Sequence, residues 1–256
     1  MACGCQSNGR VPLEVTNIIE HNDETVSFDF VSVLPMNWFE GDSSKLFLNI
    51  NGNDVGKTFS YATLPSEKII RFTTRIREER SDYKTSMSKI SVGDIIDVSQ
   101  PSGDFELRRD DKPALLLSNG VGIATMRSLI KSYEDSQNGI GRLTQINVDR
   151  SGDIYKEEFE EIEARLTQFT SVYTSNRNEF NETVLFESQR LMFGTEKIPN
   201  IYIVGSDSFI IDTMAYLSTL GINPKDIHTD GPVSSSGGCG CNNEANAQSS
   251  CGCSCA

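Results

Sequence analysis

The chain has 256 residues, of which 37% are hydrophobic, and a formal net charge of −13 at pH 7. That length suits two domains with substantial cores, and the acidic balance argues against nucleic acid, anionic membrane surfaces and acidic carrier proteins as partners. No apolar run is long enough to span a bilayer and residues 1–10 lack the apolar segment of a secretory signal, so no membrane insertion and a cytoplasmic location are expected.

Residues 1–10 read as a short polar lead that carries Cys3 and Cys5. From residue 11 to about 110 the pattern is β: runs at 11–19, 25–33, 45–50, 57–63, 68–76 and 94–100 are rich in β-branched and aromatic residues. Turn chemistry separates them, as at Asn22-Asp23, Asn51-Gly52-Asn53 and Gly93-Asp94. Short strands at this spacing predict a small antiparallel β-barrel with its edges closed.

After Asp110-Asp111-Lys112-Pro113, strands alternate with helices. Strand-like runs at 114–118, 143–149, 169–173, 200–205 and 226–230 are separated by helical patterns. These patterns carry Met126 and Leu129, then Phe159, Ile162 and Leu166, then residues 184–191, then Ile210, Met214 and Leu217. Alternation of this kind predicts a parallel sheet wound with right-handed crossovers, the last helix capped by Ser206 or Asp207 and followed by Gly221. The fold class is therefore β + α/β, with a barrel domain over 11–110, an α/β domain over 111–232 and a serine- and glycine-rich linker opening a flexible tail over 233–256.

Within the α/β half, residues 114–133 form the densest signal. Four apolar residues make a strand buried on both faces, Ser118-Asn119-Gly120-Val121-Gly122 makes a tight turn, and an amphipathic helix follows. Such a turn offers free N–H groups and a helix N-terminus to a phosphate, and it is equally the ordinary way to connect a strand to a helix.

In order along the chain, four blocks resemble the ferredoxin-NADP reductase superfamily of flavoproteins, over about residues 11–230. They are KTFSYATLP (57–65), SDYKTSMSKISVGD (81–94) with Pro101-Ser102-Gly103-Asp104-Phe105 after it, GVGIATMRSLI (120–130) and residues 200–230. The resemblance implies a flavin, FAD or alternatively FMN, held by the barrel, and NAD(P)H brought to it by the second domain. It places Phe59 against the flavin ring, Ser60 near its N5, and Tyr61 and Ala62 beside them. Lys57 stands where the family has arginine, a point charge in place of a planar fork. Lys84, Thr85 and Ser86 would face the flavin diphosphate, and Gly120, Gly122 and Thr125 the nucleotide pyrophosphate. Thr125 replaces the customary proline. Val204-Gly205-Ser206 replaces Cys-Gly-Pro, which keeps Gly205 as a nucleotide contact and removes a thiol from the nicotinamide. Asp230 takes the place of a terminal acidic residue, and with Ser60 forms the implied catalytic pair. Arg150, with Ser151, and Ser175 with Arg177 follow two sheet strands, where the family can pair Ser and Arg with a 2′-phosphate.

The implied activity is hydride transfer from NAD(P)H to flavin, with electrons passed on to a protein, metal-centre or small-molecule acceptor that the sequence does not identify. With only His21 and His228 available, histidine-based catalysis has little material. Cys239, Cys241, Cys251, Cys253 and Cys255 are all spaced Cys-x-Cys and are separated from Cys3 and Cys5 by a cysteine-free fold. This is no disulfide framework for the core, and it fits a reducing compartment. Three readings of the tail stand: a soft-metal or thiol scavenger, a zinc, copper or iron–sulfur centre near the flavin, or dithiols that accept electrons from it. Two alternatives to a free-standing enzyme stand, the first of them kept open by the departures at Lys57, Thr125 and Val204. One is a thiol-rich metal-binding or trafficking protein on a degenerate reductase scaffold. The other is an electron-transfer subunit of a larger complex.

Overall fold

The computed structural model describes residues 9–193 and 197–231. Its first half is a curled antiparallel sheet of β1 (Arg10–Glu20), β2 (Thr25–Ser32), β3 (Ser43–Ile50), β4 (Asn53–Ser60), β5 (Ile70–Arg75) and β6 (Ile95–Ser99), in the order β4-β3-β6-β1-β2-β5. Alternation drives the curl: Val11, Leu13 and Val15 on β1 are buried while Glu14 is exposed. Their partners Phe28, Phe30, Leu46, Phe72 and Val98 fill the interior, and Trp38 stacks on Tyr61 at one end. A short helix, α1 (Asp82–Met87), caps the barrel by inserting Tyr83 and Met87, both buried.

The expected closed edge is the one point of difference. β4 and β5 stand at the two ends of the sheet and share no ladder; beyond β4 the sides are joined by the Ala62 N–H donating to the Arg71 carbonyl at 3.0 Å. The strands part because Phe59 and Ser60 on one, and Thr73, Thr74 and Arg75 on the other, line a cavity between them.

The second half is a five-stranded parallel sheet of β7 (Ala114–Asn119), β8 (Leu143–Val148), β9 (Phe169–Thr174), β10 (Asn200–Val204) and β11 (Ile227–Thr229), in the order β11-β10-β7-β8-β9. Central β7 and β8 are buried almost throughout; residues 114–117 of β7 are apolar on both faces, whereas β8 also buries Thr144, Gln145 and Asn147. Leu116 faces α2 (Ile123–Asp135) and α3 (Lys156–Arg165), among Met126, Leu129, Ile130 and Phe159. Leu115 and Leu117 face the opposite layer, α4 (Arg177–Met192) and α5 (Asp207–Thr219), through Phe180, Val184 and Phe209. Ser206 is the cap of α5, its side chain accepting from the Phe209 N–H.

The barrel packs on the α2/α3 side, where Ala62 and Phe105 join that layer's core. Arg127 of α2, 5% exposed, fastens the junction. Its guanidinium donates to the Ala62 carbonyl at 2.6 Å, to Glu67 at 2.7 Å and to Glu158 at 2.6 Å. A fully paired guanidinium in this position fixes the barrel edge relative to α2.

Candidate active site

The cavity between the two halves measures about 500 Å³ and lies where β7 and β10 end against the β4 and β5 edges. Its floor is glycine. Gly120 has φ +57°, a conformation that favours glycine, and a Cβ there would stand 3.1 Å from the Arg75 guanidinium. At Gly122 a Cβ would meet the Val204 carbonyl oxygen at 2.8 Å, and at Gly205 the Phe209 ring at 2.7 Å. Residues Gly120–Gly122 turn as a single 3₁₀ turn directly into α2, so that at the two glycines flanking Val121 only backbone can face the space. A surface of that kind accepts an anionic group closely.

One wall is basic. Lys57, Arg75 and Lys84 all line it. Lys84 sits 5.2 Å from the centre of the Phe59 ring and donates to the Thr74 hydroxyl, and no carboxylate pairs with it among the described residues. Burial pulls its ammonium down to about 8. Arg75 is tied across the junction to Asp149, and its buried Nε makes no hydrogen bond but lies 3.7 Å from a Glu24 carboxylate oxygen. A desolvated lysine without a carboxylate partner, on a wall with two further cations, fits the phosphates of a dinucleotide cofactor. The Phe59 and Tyr83 rings, 6.3 Å apart, supply the apolar stretch of the same wall.

The other end carries an acid. Ser60 Oγ donates to Asp230 at 2.9 Å, and the Thr125 hydroxyl hydrogen-bonds the same carboxylate. Burial raises the Asp230 carboxyl, the two hydroxyls oppose that, and Asp104 adds to it. Ser60, Asp230 and Thr125 thus form a cluster at the cavity wall, beside Gly122 and Val204.

Of the residues singled out from the sequence, Lys57, Phe59, Ser60, Lys84, Gly120, Gly122, Thr125, Gly205 and Asp230 line this one cavity. Tyr61 and Ala62 lie behind it: Tyr61 is fully buried with its hydroxyl on Ser44, and Ala62 gives its carbonyl to Arg127. Thr85 and Ser86 do not line it; α1 begins after its Ser81 cap, the Thr85 N–H is spent on the Ser81 carbonyl, and Ser81, Tyr83 and Lys84 face the space instead. Arg150 is exposed beyond β8. Ser175 bonds to Glu179, and Arg177 lies over the Phe180 and Phe209 rings and donates to Thr213, so its guanidinium packs on α5. Cys239, Cys241, Cys251, Cys253 and Cys255 lie outside the described residues.

Sequence reasoning missed Thr73, Thr74 and Arg75 of β5 and Asn119 of β7. A signal was present: Ile70–Arg75 ends in polar and charged residues where the barrel core has run out.

The ferredoxin NADP+ reductase of Neisseria gonorrhoeae, solved with bound FAD and NADP, matches with a TM-score of 0.72 at 15% identity, over 87% of this chain and 98% of that one. The chain has the ferredoxin-NADP reductase fold. The flavohemoprotein of a Burkholderia species is 22% identical over 192 residues, 70% of this chain and 47% of the relative. The toluate 1,2-dioxygenase electron transfer component of Pseudomonas putida is 25% identical over 191 residues, 71% of this chain and 55% of the relative. The chain therefore spans about half the length of these curated relatives. No family model matches it. The reductase fold puts the cavity at the junction of its two halves, and among the described residues no helix is long and apolar enough to cross a membrane.

Proposed function

We propose that this chain is a flavin-dependent NAD(P)H oxidoreductase that passes electrons from a reduced pyridine nucleotide to an acceptor. The observation that carries the proposal is one cavity joining a desolvated, carboxylate-free Lys84 to a hydroxyl-bound Asp230 over a glycine floor. FAD, when bound, accepts hydride and releases electrons, and the protein supplies binding, orientation and electrostatics.

Lys57, Lys84 and Arg75 hold the cofactor's diphosphate, and Phe59 and Tyr83 give its ring an apolar wall. Gly120, Gly122 and Gly205 leave the opposite side open to the nucleotide, and a Cβ at any of them would press on Arg75, Val204 or Phe209 respectively. Ser60 and Thr125 orient Asp230, whose raised affinity for a proton suits it to hold one beside the reacting rings. The missing thiol at Val204 predicts slower hydride transfer, not its loss. Arg150, exposed at the end of β8, is the cation available to a 2′-phosphate, whereas Arg177 is engaged with α5. The acceptor is a protein, a metal centre or a small molecule, in keeping with relatives named as flavohemoprotein and as electron transfer component.

Purified protein is expected to be yellow, with flavin absorbance near ~450 nm that bleaches on anaerobic addition of NADPH or NADH. Colourless protein that takes up no FAD or FMN on reconstitution defeats the proposal.

A further inference from the structure

A run of buried hydroxyls leads away from the cavity through the barrel wall. Thr73 of β5 lines the cavity, and its Oγ1 lies 2.6 Å from Ser27 Oγ and 2.6 Å from the Tyr155 hydroxyl. Ser27, on β2, is fully buried, and its Oγ lies 2.7 Å from His21 Nε2. His21 in turn lines a separate surface groove of about 690 Å³. The Tyr155 ring meets the imidazole edge-on at 5.2 Å, so the α/β half clamps the run from outside. Three hydrogen-bonded groups thus connect one cavity to another, and the group at the outer end is one of only two histidines in the chain.

We propose that Thr73, Ser27 and His21 form a proton relay between the cavity and the outer groove, with Tyr155 as the positioning residue that holds Thr73. The inference rests on the flavin reading above. When a one-electron acceptor such as ferricyanide takes two electrons, one per ion, from anionic reduced flavin, oxidised flavin and one proton are left. Ferrocyanide carries no proton away. The proton passes to Thr73 Oγ1 as that hydroxyl hands its own to Ser27, Ser27 hands its own to His21 Nε2, and the imidazole releases one to the groove.

The chemistry of each group permits this. A hydroxyl donates one hydrogen bond and accepts others, so the run can point in either direction. With His21 neutral, Nε2 accepts from Ser27; with His21 charged, Nε2 donates and the run reverses. The charged groups around the imidazole are Arg71 of β5, Asp29 of β2, Glu20, Asp23 and Glu24 around the β1–β2 turn, and Arg80 across the groove. Burial, then Arg71, hold His21 below its ordinary value against the pull of Asp29, so it sheds a proton readily near neutrality.

The test uses full-length holoprotein, reduced and then mixed with ferricyanide in a stopped-flow instrument. Flavin absorbance reports electron departure, and an indicator dye reports proton release. In the wild type the two signals are expected to coincide. In Thr73→Val and in His21→Gln the dye is expected to lag the flavin roughly tenfold, and Thr73→Ser, which keeps the hydroxyl, restores coincidence. A second readout needs no turnover: by ¹⁵N NMR the His21 titration midpoint is expected to differ between oxidised and reduced protein in the wild type and Thr73→Ser, and not in Thr73→Val. Hydroxyls that only glue the junction would change stability and leave both readouts untouched. A dye signal that keeps pace with the flavin in both Thr73→Val and His21→Gln overturns the relay. Failure of the flavin reading is distinct, because the protein would be colourless before any mixing.

Discussion

Replacing Lys84 by methionine keeps the length of the side chain and removes its charge, which isolates what the cation does for the cofactor. An ammonium facing a phosphate contributes about 1.5–3 kcal/mol. Its loss is expected to weaken FAD binding roughly tenfold to somewhat over a hundredfold. The pH dependence is sharper, because burial has already displaced the group. In the free protein Lys84 titrates at about 8, and a bound diphosphate returns it toward its ordinary 10.5. A basic group whose bound-state pKa is raised gives its full contribution below the free-state value and loses it as pH climbs through the window between the two. Affinity should therefore fall by up to about tenfold per pH unit above 8, or roughly thirtyfold between pH 7 and pH 9.5.

Folding must respond with the opposite sign. Unfolded chain keeps the Lys84 proton up to about 10.5 while the folded free protein has released it near 8, so between those values the unfolded state binds more protons. Stability of the free wild type should rise with pH through that window, measured relative to Lys84→Met. Fluorescence titration of FAD into apoprotein at pH 7, 8, 9 and 9.5, alongside urea denaturation, measures both slopes. If Lys84→Met binds FAD as tightly as wild type with the same pH slope, Lys84 does not face a phosphate and the assignment of the basic wall fails.

Asp230→Asn is expected to slow hydride transfer about a hundredfold in stopped-flow reduction by NADPH. It should also raise thermal stability at neutral pH: burial lifts the Asp230 pKa, so its ionisation opposes folding as pH rises through that value, and the gain should vanish in acid below the unfolded carboxylate's pKa. Gly122→Ala forces a Cβ to 2.8 Å from the Val204 carbonyl and 3.0 Å from its Cγ1, on a buried strand that cannot move aside cheaply. A loss of about 1–3 kcal/mol in chemical denaturation is expected, with weakened nucleotide binding and unchanged FAD content. Truncation after residue 232 removes the five tail cysteines and should leave reduction of the flavin by NADPH unchanged. If the tail is the metal-ligating or electron-accepting segment, mass spectrometry will show the loss of thiolate-bound soft metal, or turnover with the acceptor will stop; equal performance of the truncated chain in both excludes those two roles.

The order of elements was legible because two periodicities meet at a visible seam. Strict alternation over Val11–Val15 and continuous burial over Leu115–Leu117 are different solutions to covering a strand, and each leaves its own pattern. The glycine floor was legible as well, since Gly120 and Gly122 stand at a strand-to-helix turn whose geometry excludes side chains. Other features depend on the third dimension. Helical phase decided that Ser81 and Tyr83, rather than Thr85 and Ser86, accompany Lys84 into the cavity. Arg127 looks like a polar residue on an amphipathic helix, and only the arrival of Ala62 and Glu67 from the barrel explains why it is buried. Thr125, in a position where the family has proline, read as a mild departure at a phosphate site; its hydroxyl lies instead on Asp230, some hundred residues further along the chain.

The open barrel edge ties these observations together. A closed ladder between β4 and β5 would satisfy every backbone group and leave no room for a ligand. Parting the strands creates a lined cavity and also strands charge inside it: Lys84 is pulled down and Asp230 is pushed up. Each of these opposes folding of the empty protein, and each would be relieved by an anion at one end and a proton-sharing partner at the other. Rigidity then has to come from outside the cavity. Arg127 with Glu67 and the Ala62 carbonyl, Arg75 with Asp149, and Tyr155 on Thr73 all span the junction between the halves, each within one turn or strand of a cavity residue. The strain of an unfilled site is thereby carried by interdomain contacts, so binding a dinucleotide cofactor should stabilise the two halves as one unit.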